Sequence, residues 1–112
     1  MIINTPVSLG ELVDKISILH IKNINIKDDE KLKLIREELE LLNQTLNKHI
    51  KKNDIQNYLD SLIEINSKLW VIEDDIRDCE RNKKFNQTFI DLARSVYFTN
   101  DKRSEVKLEI NK

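Results

Sequence analysis

Apolar residues recur along the chain at alternating steps of three and four positions, the spacing that places side chains on one face of an α-helix. The clearest run spans residues 58–79, with these members: Tyr58, Leu62, Ile65, Leu69, Ile72, Ile76 and Cys79. A second stripe beside it begins apolar and turns polar: Leu59, Ile63, Asn66, Trp70, Glu73, Arg77 and Glu80. The pattern therefore predicts one long helix over residues 54–83 with two different faces.

Capping patterns indicate where the other helices begin. Ser8 and Glu11 form a Ser-x-x-Glu capping box, which predicts a first helix over residues 9–25. Acidic residues at 28–30 suit the positive end of a second helix, over residues 29–52. Asn86 repeats the capping pattern and predicts a helix over residues 87–99, followed by an interruption at Thr99 or Asn100 and a last helix over residues 101–110.

Few residues separate the second and third predicted helices, so the sequence predicts that they form an antiparallel hairpin. The chain has one Gly and one Pro, whereas β-sheet proteins need these residues at their turns. We therefore expect a single all-α domain over residues 1–112: a helical bundle in which shorter N- and C-terminal helices pack on a hairpin of two long helices.

Charge and composition argue against nucleic-acid binding and against a membrane-spanning segment. Charged residues make up 35% of the chain, yet the formal net charge is −1, and the two signs are interleaved, which argues against nucleic-acid binding. No apolar run reaches membrane-spanning length. The one cysteine, Cys79, lies on the apolar stripe, where a buried side chain is expected. We predict a soluble cytoplasmic protein without a cofactor or metal site.

Two groups of polar residues could carry chemistry. Trp70, Glu73, Arg77 and Glu80 are neighbours on one helix face. They form either a structural ion-pair ladder or a pocket wall in which Trp70 stacks a ligand and Arg77 holds an anion. A second group surrounds the predicted interruption, either capping it or binding a ligand: Arg94, Tyr97, Asn100, Asp101 and Arg103. The hypothetical ligand-binding set is Trp70, Glu73, Arg77, Glu80, Arg94 and Arg103.

An enzymatic alternative rests on carboxylates. Facing helices that carry acidic pairs can hold Mg²⁺ for nucleotide hydrolysis. All-helical nucleotide pyrophosphohydrolases use Glu-x-x-Glu followed by Glu-x-x-Asp. Glu37 and Glu40 fit the first pair, whereas Asp75 and Asp78 supply only an Asp-x-x-Asp, and the gap between the pairs is too long.

Three segments, SLGELVDKISILHIKNINI, LWVIEDDIRDCERNKKF and FIDLARSVYFTNDKRSEVKLEIN, resemble a small helical family of unknown function. The resemblance spans nearly the whole chain and implies a bacterial or phage protein, often encoded near glycosyltransferase or surface-polysaccharide genes. It implies no catalytic residue. A site is expected where the polar residues of the three segments converge: Glu11, Asp14, Lys15, Lys22, Trp70, Glu73, Asp74, Arg77, Glu80, Arg94, Asn100 and Arg103.

Surplus apolar positions favour association. Several lie off the main stripes, and helices of this size cannot easily cover all of them in one subunit: Ile18, Ile21, Leu34, Leu41, Leu59 and Ile63. We therefore expect a non-enzymatic interaction or accessory module that forms a homodimer and can bind a further protein partner. The alternative is a binder or enzyme for a phosphorylated or nucleotide-like molecule.

Overall fold

A computed structural model describes residues 1 and 3–112, with Lys52 described by its backbone only. Within this range the chain forms four helices: α1 (Leu9–Asn25), α2 (Asp29–His49), α3 (Lys52–Arg81) and α4 (Gln87–Asn111). The same residues contain no strand, and the helices pack against one another. The predicted all-α bundle is therefore confirmed.

Side-chain caps start three of the helices. The Ser8 hydroxyl accepts a hydrogen bond from the Glu11 amide at 3.2 Å, as the capping box predicts. Asp28 accepts from the Lys31 amide at 3.1 Å and Asn86 from the Phe89 amide at 3.4 Å. Each cap satisfies an amide that has no partner within its own helix.

The junction between α2 and α3 lies earlier than predicted. α2 ends at His49 rather than at residue 52, because Ile50 has extended backbone angles and packs its side chain against the core. α3 then begins at Lys52 instead of residue 54. It ends at Arg81 rather than residue 83 because Lys83 adopts a left-handed conformation with φ of 53°. The Lys84 amide bonds the Cys79 carbonyl at 2.9 Å, which is the bond that closes a Schellman motif.

The predicted interruption at Thr99 or Asn100 was wrong, because α4 is continuous from Gln87 to Asn111. No Gly or Pro lies in this segment, so only the modest helix propensity of its polar residues opposed helix formation. Contacts beyond the expected break outweigh that cost. Arg103 bonds Asp14 of α1, and Ile110 is buried in the core.

The helix arrangement gives α1 a central position. α1 packs against α2, α3 and α4, and the long antiparallel pair is α3 with α4. The backbones of α2 and α3 approach each other less closely than those pairs do. The sequence predicted a hairpin of α2 and α3 with the N- and C-terminal helices packed on it. Side chains of α2 and α3 share the core cluster, and α1 packs against all three of the other helices.

The core forms where α1 meets the start of α3 and the C-terminal ends of α2 and α4. Its buried members are Val13, Ile16, Leu46, Ile55, Leu59, Leu62 and Ile110. Of the surplus apolar positions, Ile21 and Leu59 are buried within the single chain, so they are not available for association. Ile18 and Ile63 are half-buried, whereas Leu34 and Leu41 are exposed.

Gly10 marks the closest approach of α1 to α4. Its amide donates a hydrogen bond to the Asn111 side-chain oxygen at 2.7 Å, so the end of α4 satisfies an amide in the first turn of α1. A Cβ atom at residue 10 would lie 2.5 Å from the Lys107 carbonyl oxygen and 3.0 Å from Asn111 Oδ1. The absence of a side chain therefore sets the spacing of the two helices.

We predict that Gly10→Ala lowers stability by about 1–3 kcal/mol, because the added methyl forces a backbone shift that outweighs the better helix propensity of Ala. Urea denaturation followed by circular dichroism measures this change. Lys102→Ala, at an exposed position of α4, is the control and should be neutral or slightly stabilising. Equal stability of Gly10→Ala and the native chain would contradict the inferred close packing.

Candidate functional site

A polar cluster lies inside the bundle, on the face of α1 that meets α3 and α4. Asp14 is 3% exposed and Ser17 is fully buried. The two residues are three positions apart, so their side chains lie on one face of the helix. Buried charges are expensive unless they are paired and hydrogen-bonded, so the partners of Asp14 decide what this cluster can do.

Asp14 receives its partners from two other helices. Asn66 of α3 donates from Nδ2 to Asp14 Oδ1 at 2.9 Å. Arg103 of α4 donates from Nε to the same oxygen at 3.0 Å and from a terminal nitrogen to Oδ2 at 2.5 Å. The guanidinium therefore binds the carboxylate through both of its oxygens, the geometry in which arginine is most specific.

Ser17 completes the cluster. Its hydroxyl donates to the Asp14 backbone carbonyl at 2.6 Å and accepts from Asn66 Nδ2 at 2.8 Å. Among the described residues, no buried side-chain nitrogen or oxygen lacks a hydrogen-bond partner. We call Asp14, Ser17, Asn66 and Arg103 the Asp14 cluster.

An ion pair at the rim extends the cluster toward solvent. Lys107 Nζ lies 2.5 Å from Glu11 Oε1 and 3.8 Å from Asp14 Oδ2. Glu11 and Asp14 thus face Arg103 and Lys107, so the two negative and two positive charges balance. The arrangement ties α1 to α4 and leaves no unpaired positive charge for an anionic ligand.

The surroundings of Asp14 keep it ionised. Burial by itself raises the pKa of the Asp14 carboxyl. Hydrogen bonds from Arg103 and Asn66, with the charges of Arg103 and Lys107, outweigh burial and hold that pKa below its ordinary value of 3.8. A general base that works at neutral pH needs a pKa closer to 7. Asp14 is therefore suited to holding helices together rather than to proton transfer.

Of the six hypothetical ligand-binding residues, four lie on α3 and two, Arg94 and Arg103, lie on α4. Arg103 lies in the Asp14 cluster, where its hydrogen bond with Asp14 raises the pKa of the guanidinium and the charge of Glu73 adds a smaller contribution in the same direction. Arg77 pairs with Asp74 at 2.8 Å rather than bridging Glu73 and Glu80 as the predicted ladder required. The remaining three are half-buried or exposed: Trp70, Glu80 and Arg94.

Sequence reasoning found part of the cluster. Asp14 and Arg103 belong to the set expected to converge, Asn66 lies on the mixed stripe of α3, and the structure brings the three together. Ser17 and Lys107 were missed. The available indication was a stripe of α1 at helical spacing in which small and polar residues interrupt the apolar ones: Gly10, Asp14, Ser17 and Ile21.

The two acidic pairs of the Mg²⁺-dependent alternative are not arranged as a metal site. Glu37, Glu40, Asp75 and Asp78 are all exposed, and Asp78 pairs with Arg81 on its own helix. Over the residues that the structure describes, no group of three or more His, Cys, Asp or Glu side chains is placed to hold a metal ion. The acidic pairs are therefore not assembled into a shared site.

Two of the concavities on the described part of the surface are shallow and open to solvent. One, of about 560 Å³, lies at the end of α4 and is lined by Glu105, Leu108, Glu109, Asn111 and Lys112. The other, of about 420 Å³, lies along α2 and is lined by Arg36, Leu39, Glu40, Asn43, Gln44 and Asn47. Neither includes Trp70, so neither corresponds to the pocket wall that the sequence suggested.

Comparison with known proteins adds a family but no activity. The sequence profile of a family described as a family of unknown function (DUF6165) matches residues 3–112, which agrees with the resemblance seen in the sequence. No curated protein and no solved structure matches the chain. No helix in the described part of the chain is both long enough and apolar enough to cross a membrane.

We expect Asp14→Asn to destabilise the fold by about 2–3 kcal/mol, because it removes the charge that pairs with Arg103 in a nearly buried site. Asp74→Asn is the matched control, since it breaks the exposed pair with Arg77 and should cost no more than about 0.5 kcal/mol. Urea denaturation at pH 7 compares the two variants. A cost for Asp14→Asn as small as that for Asp74→Asn would show that the Asp14 cluster does not hold the helices together.

The lowered pKa of Asp14 also predicts a pH dependence. A carboxyl whose pKa is depressed by folding stabilises the fold above its unfolded-state pKa, and this contribution is lost as the pH falls through the folded-state pKa. The stability difference between the native chain and Asp14→Asn should therefore be full at neutral pH and shrink below pH 3.8. Urea midpoints measured from neutral to acidic pH test this, and a constant difference would contradict it.

Proposed function

The chain belongs to the DUF6165 family of unknown function, and from this premise we propose that it acts as a non-enzymatic interaction module that associates with a second copy of itself. The observation that carries the proposal is the exposure of large apolar side chains on the outward faces of two helices. They are Leu34 and Leu41 on α2, and Ile90, Tyr97, Phe98 and Leu108 on α4. Exposed large apolar side chains that share one face of a helix are typical of surfaces that bind other proteins.

The Asp14 cluster supports an interaction role more than a chemical one. Both oxygens of Asp14 are occupied, and the Ser17 hydroxyl is buried with its donor and acceptor roles both in use. A nucleophile or base must be reachable by a substrate. These side chains instead bond one another across three helices, which fixes the outward faces that the module presents.

The ligand-binding alternative draws no comparable support. It needs Trp70, Arg77 and one of the two arginines of α4 around a single bound molecule. Arg77 is exposed and paired with Asp74, Arg94 is exposed, and Arg103 donates to Asp14. A bound anion would have to displace Asp14 from Arg103, which would leave a buried carboxylate without its main partner.

The proposed setting follows from the family resemblance. A cytoplasmic module of this kind would serve as an accessory protein for enzymes of surface-polysaccharide synthesis, such as glycosyltransferases. The exposed apolar residues lie on two separate helices, so one surface can pair with a second copy while the other remains available to a protein partner.

Self-association predicts a mass that depends on concentration. We expect light scattering coupled to size-exclusion chromatography, run from about 1 μM to about 500 μM, to show the average mass rising from the monomer value of 13.3 kDa toward twice that value. A constant 13.3 kDa over the whole range would overturn the proposed self-association.

A further inference from the structure

The outward face of α4 has the composition of a helix-pairing surface. At alternating steps of three and four residues it presents six exposed side chains, which we call the α4 strip: Ile90, Arg94, Tyr97, Asp101, Ser104 and Leu108. Phe98 lies beside Tyr97, and the two rings form an edge-to-face pair with centroids 5.8 Å apart. The apolar members of this surface are 47% to 66% exposed.

In the part of the chain that the structure describes, all six side chains of this strip are exposed to solvent. The opposite face of α4 is the one that packs inward, through Arg103, Lys107 and Ile110. Among the described residues, neither Arg94 nor Asp101 takes part in an ion pair of the single chain. Two opposite charges on an exposed apolar strip are therefore left without partners.

We infer, building on the proposed self-association, that the α4 strip is the dimer interface and that two α4 helices pack antiparallel about a two-fold axis near residue 99. In this register Ile90 lies opposite the partner's Leu108 and, by symmetry, Leu108 lies opposite the partner's Ile90. A two-fold interface repeats each contact in this way. Both ends of the strip are then covered by apolar side chains.

The charges of Arg94 and Asp101 also favour antiparallel pairing. Arg94 lies opposite the partner's Ser104, one helical turn from the partner's Asp101, so each protomer supplies the ion partner that the other lacks. Tyr97 lies opposite the partner's Asp101, which can accept a hydrogen bond from the phenol. Parallel pairing would instead place Arg94 beside Arg94 of the partner subunit and the two Asp101 carboxylates together. Like charges facing one another oppose association.

The small area of this surface indicates that the dimer is weak. The shallow concavity at the end of α4 includes Leu108, where the antiparallel register places the partner's Ile90. Ile90, Tyr97, Phe98 and Leu108 together expose roughly 400 Å² per protomer, since side chains of this size present roughly 150–250 Å² each when uncovered. Interfaces that bury less than about 1,200 Å² in total are weak or transient, so we expect a dissociation constant in the micromolar range.

A charge-reversal cycle on the full chain tests the interface. Analytical ultracentrifugation should show that Arg94→Glu and Asp101→Arg each raise the dimer dissociation constant about tenfold or more, because each creates two like-charge contacts across the two-fold axis. The double variant restores opposite charges and should return to within about threefold of the native value. Lys68→Glu changes the net charge as Arg94→Glu does but lies on α3, and it should leave the constant unchanged.

Disulfide crosslinking tests the register independently. In a Cys79→Ala background, the double variant Ile90→Cys with Leu108→Cys should form a covalent dimer under mild oxidation. Leu108→Cys alone should not, because the two copies of residue 108 lie about 27 Å apart in the antiparallel register. Equal crosslinking of the single and double variants would overturn the register.

The remaining outcomes separate this inference from the proposed function. A double charge variant that stays as weak as either single variant, or a Lys68→Glu chain that dissociates like Arg94→Glu, overturns the α4 interface. A dimer that resists every α4 variant but dissociates with Leu34→Glu assigns pairing to α2, which overturns the inference and leaves self-association standing. A native chain that is monomeric at all concentrations overturns both.

Discussion

The carboxylate of Asp14 imposes the main constraint on this bundle. It lies on α1 in a nearly closed space, and its partners come from α3 through Asn66 and from α4 through Arg103. A buried charge of this kind is tolerated only when every partner is in place. Apolar packing alone accepts small changes of helix register, whereas this network requires one relative placement of three helices. The Asp14 cluster therefore specifies how these three helices are placed relative to one another.

The same constraint determines what α4 presents to solvent. Arg103 and Ile110 lie seven positions apart, so two full turns of one α4 face are directed inward. These contacts anchor the part of α4 that lies beyond the interruption expected at Thr99 or Asn100. Because the inward face is fixed, the opposite face has no freedom to rotate toward the core. Tyr97, Phe98 and Leu108 remain outside for this reason, and their exposure is a consequence of how α1 and α4 are joined.

Most of the local structure could be predicted from the sequence, because periodicity and caps are properties of neighbouring residues. Ser8, Asp28 and Asn86 cap the helices that they were expected to begin. The central position of α1 could not be predicted, since it depends on contacts such as that of Asp14 with Arg103, which are 89 positions apart. Ser17 and Lys107 were missed for a related reason. A polar residue on a helix has the same local pattern whether it faces solvent or a buried carboxylate.

The proposed association depends on how the fold holds α4. A pairing surface of modest area binds only if little conformational entropy is lost on association. The strip from Ile90 to Leu108 meets this condition, because it lies on a single helix held at Asp14 and at the core rather than on a loop. Its charges occupy positions fixed by that helix, so the spacing between Arg94 and Asp101 is set by the fold of the single chain. The buried cluster and the exposed strip thus act on opposite faces of one helix, and the first gives the second a defined geometry.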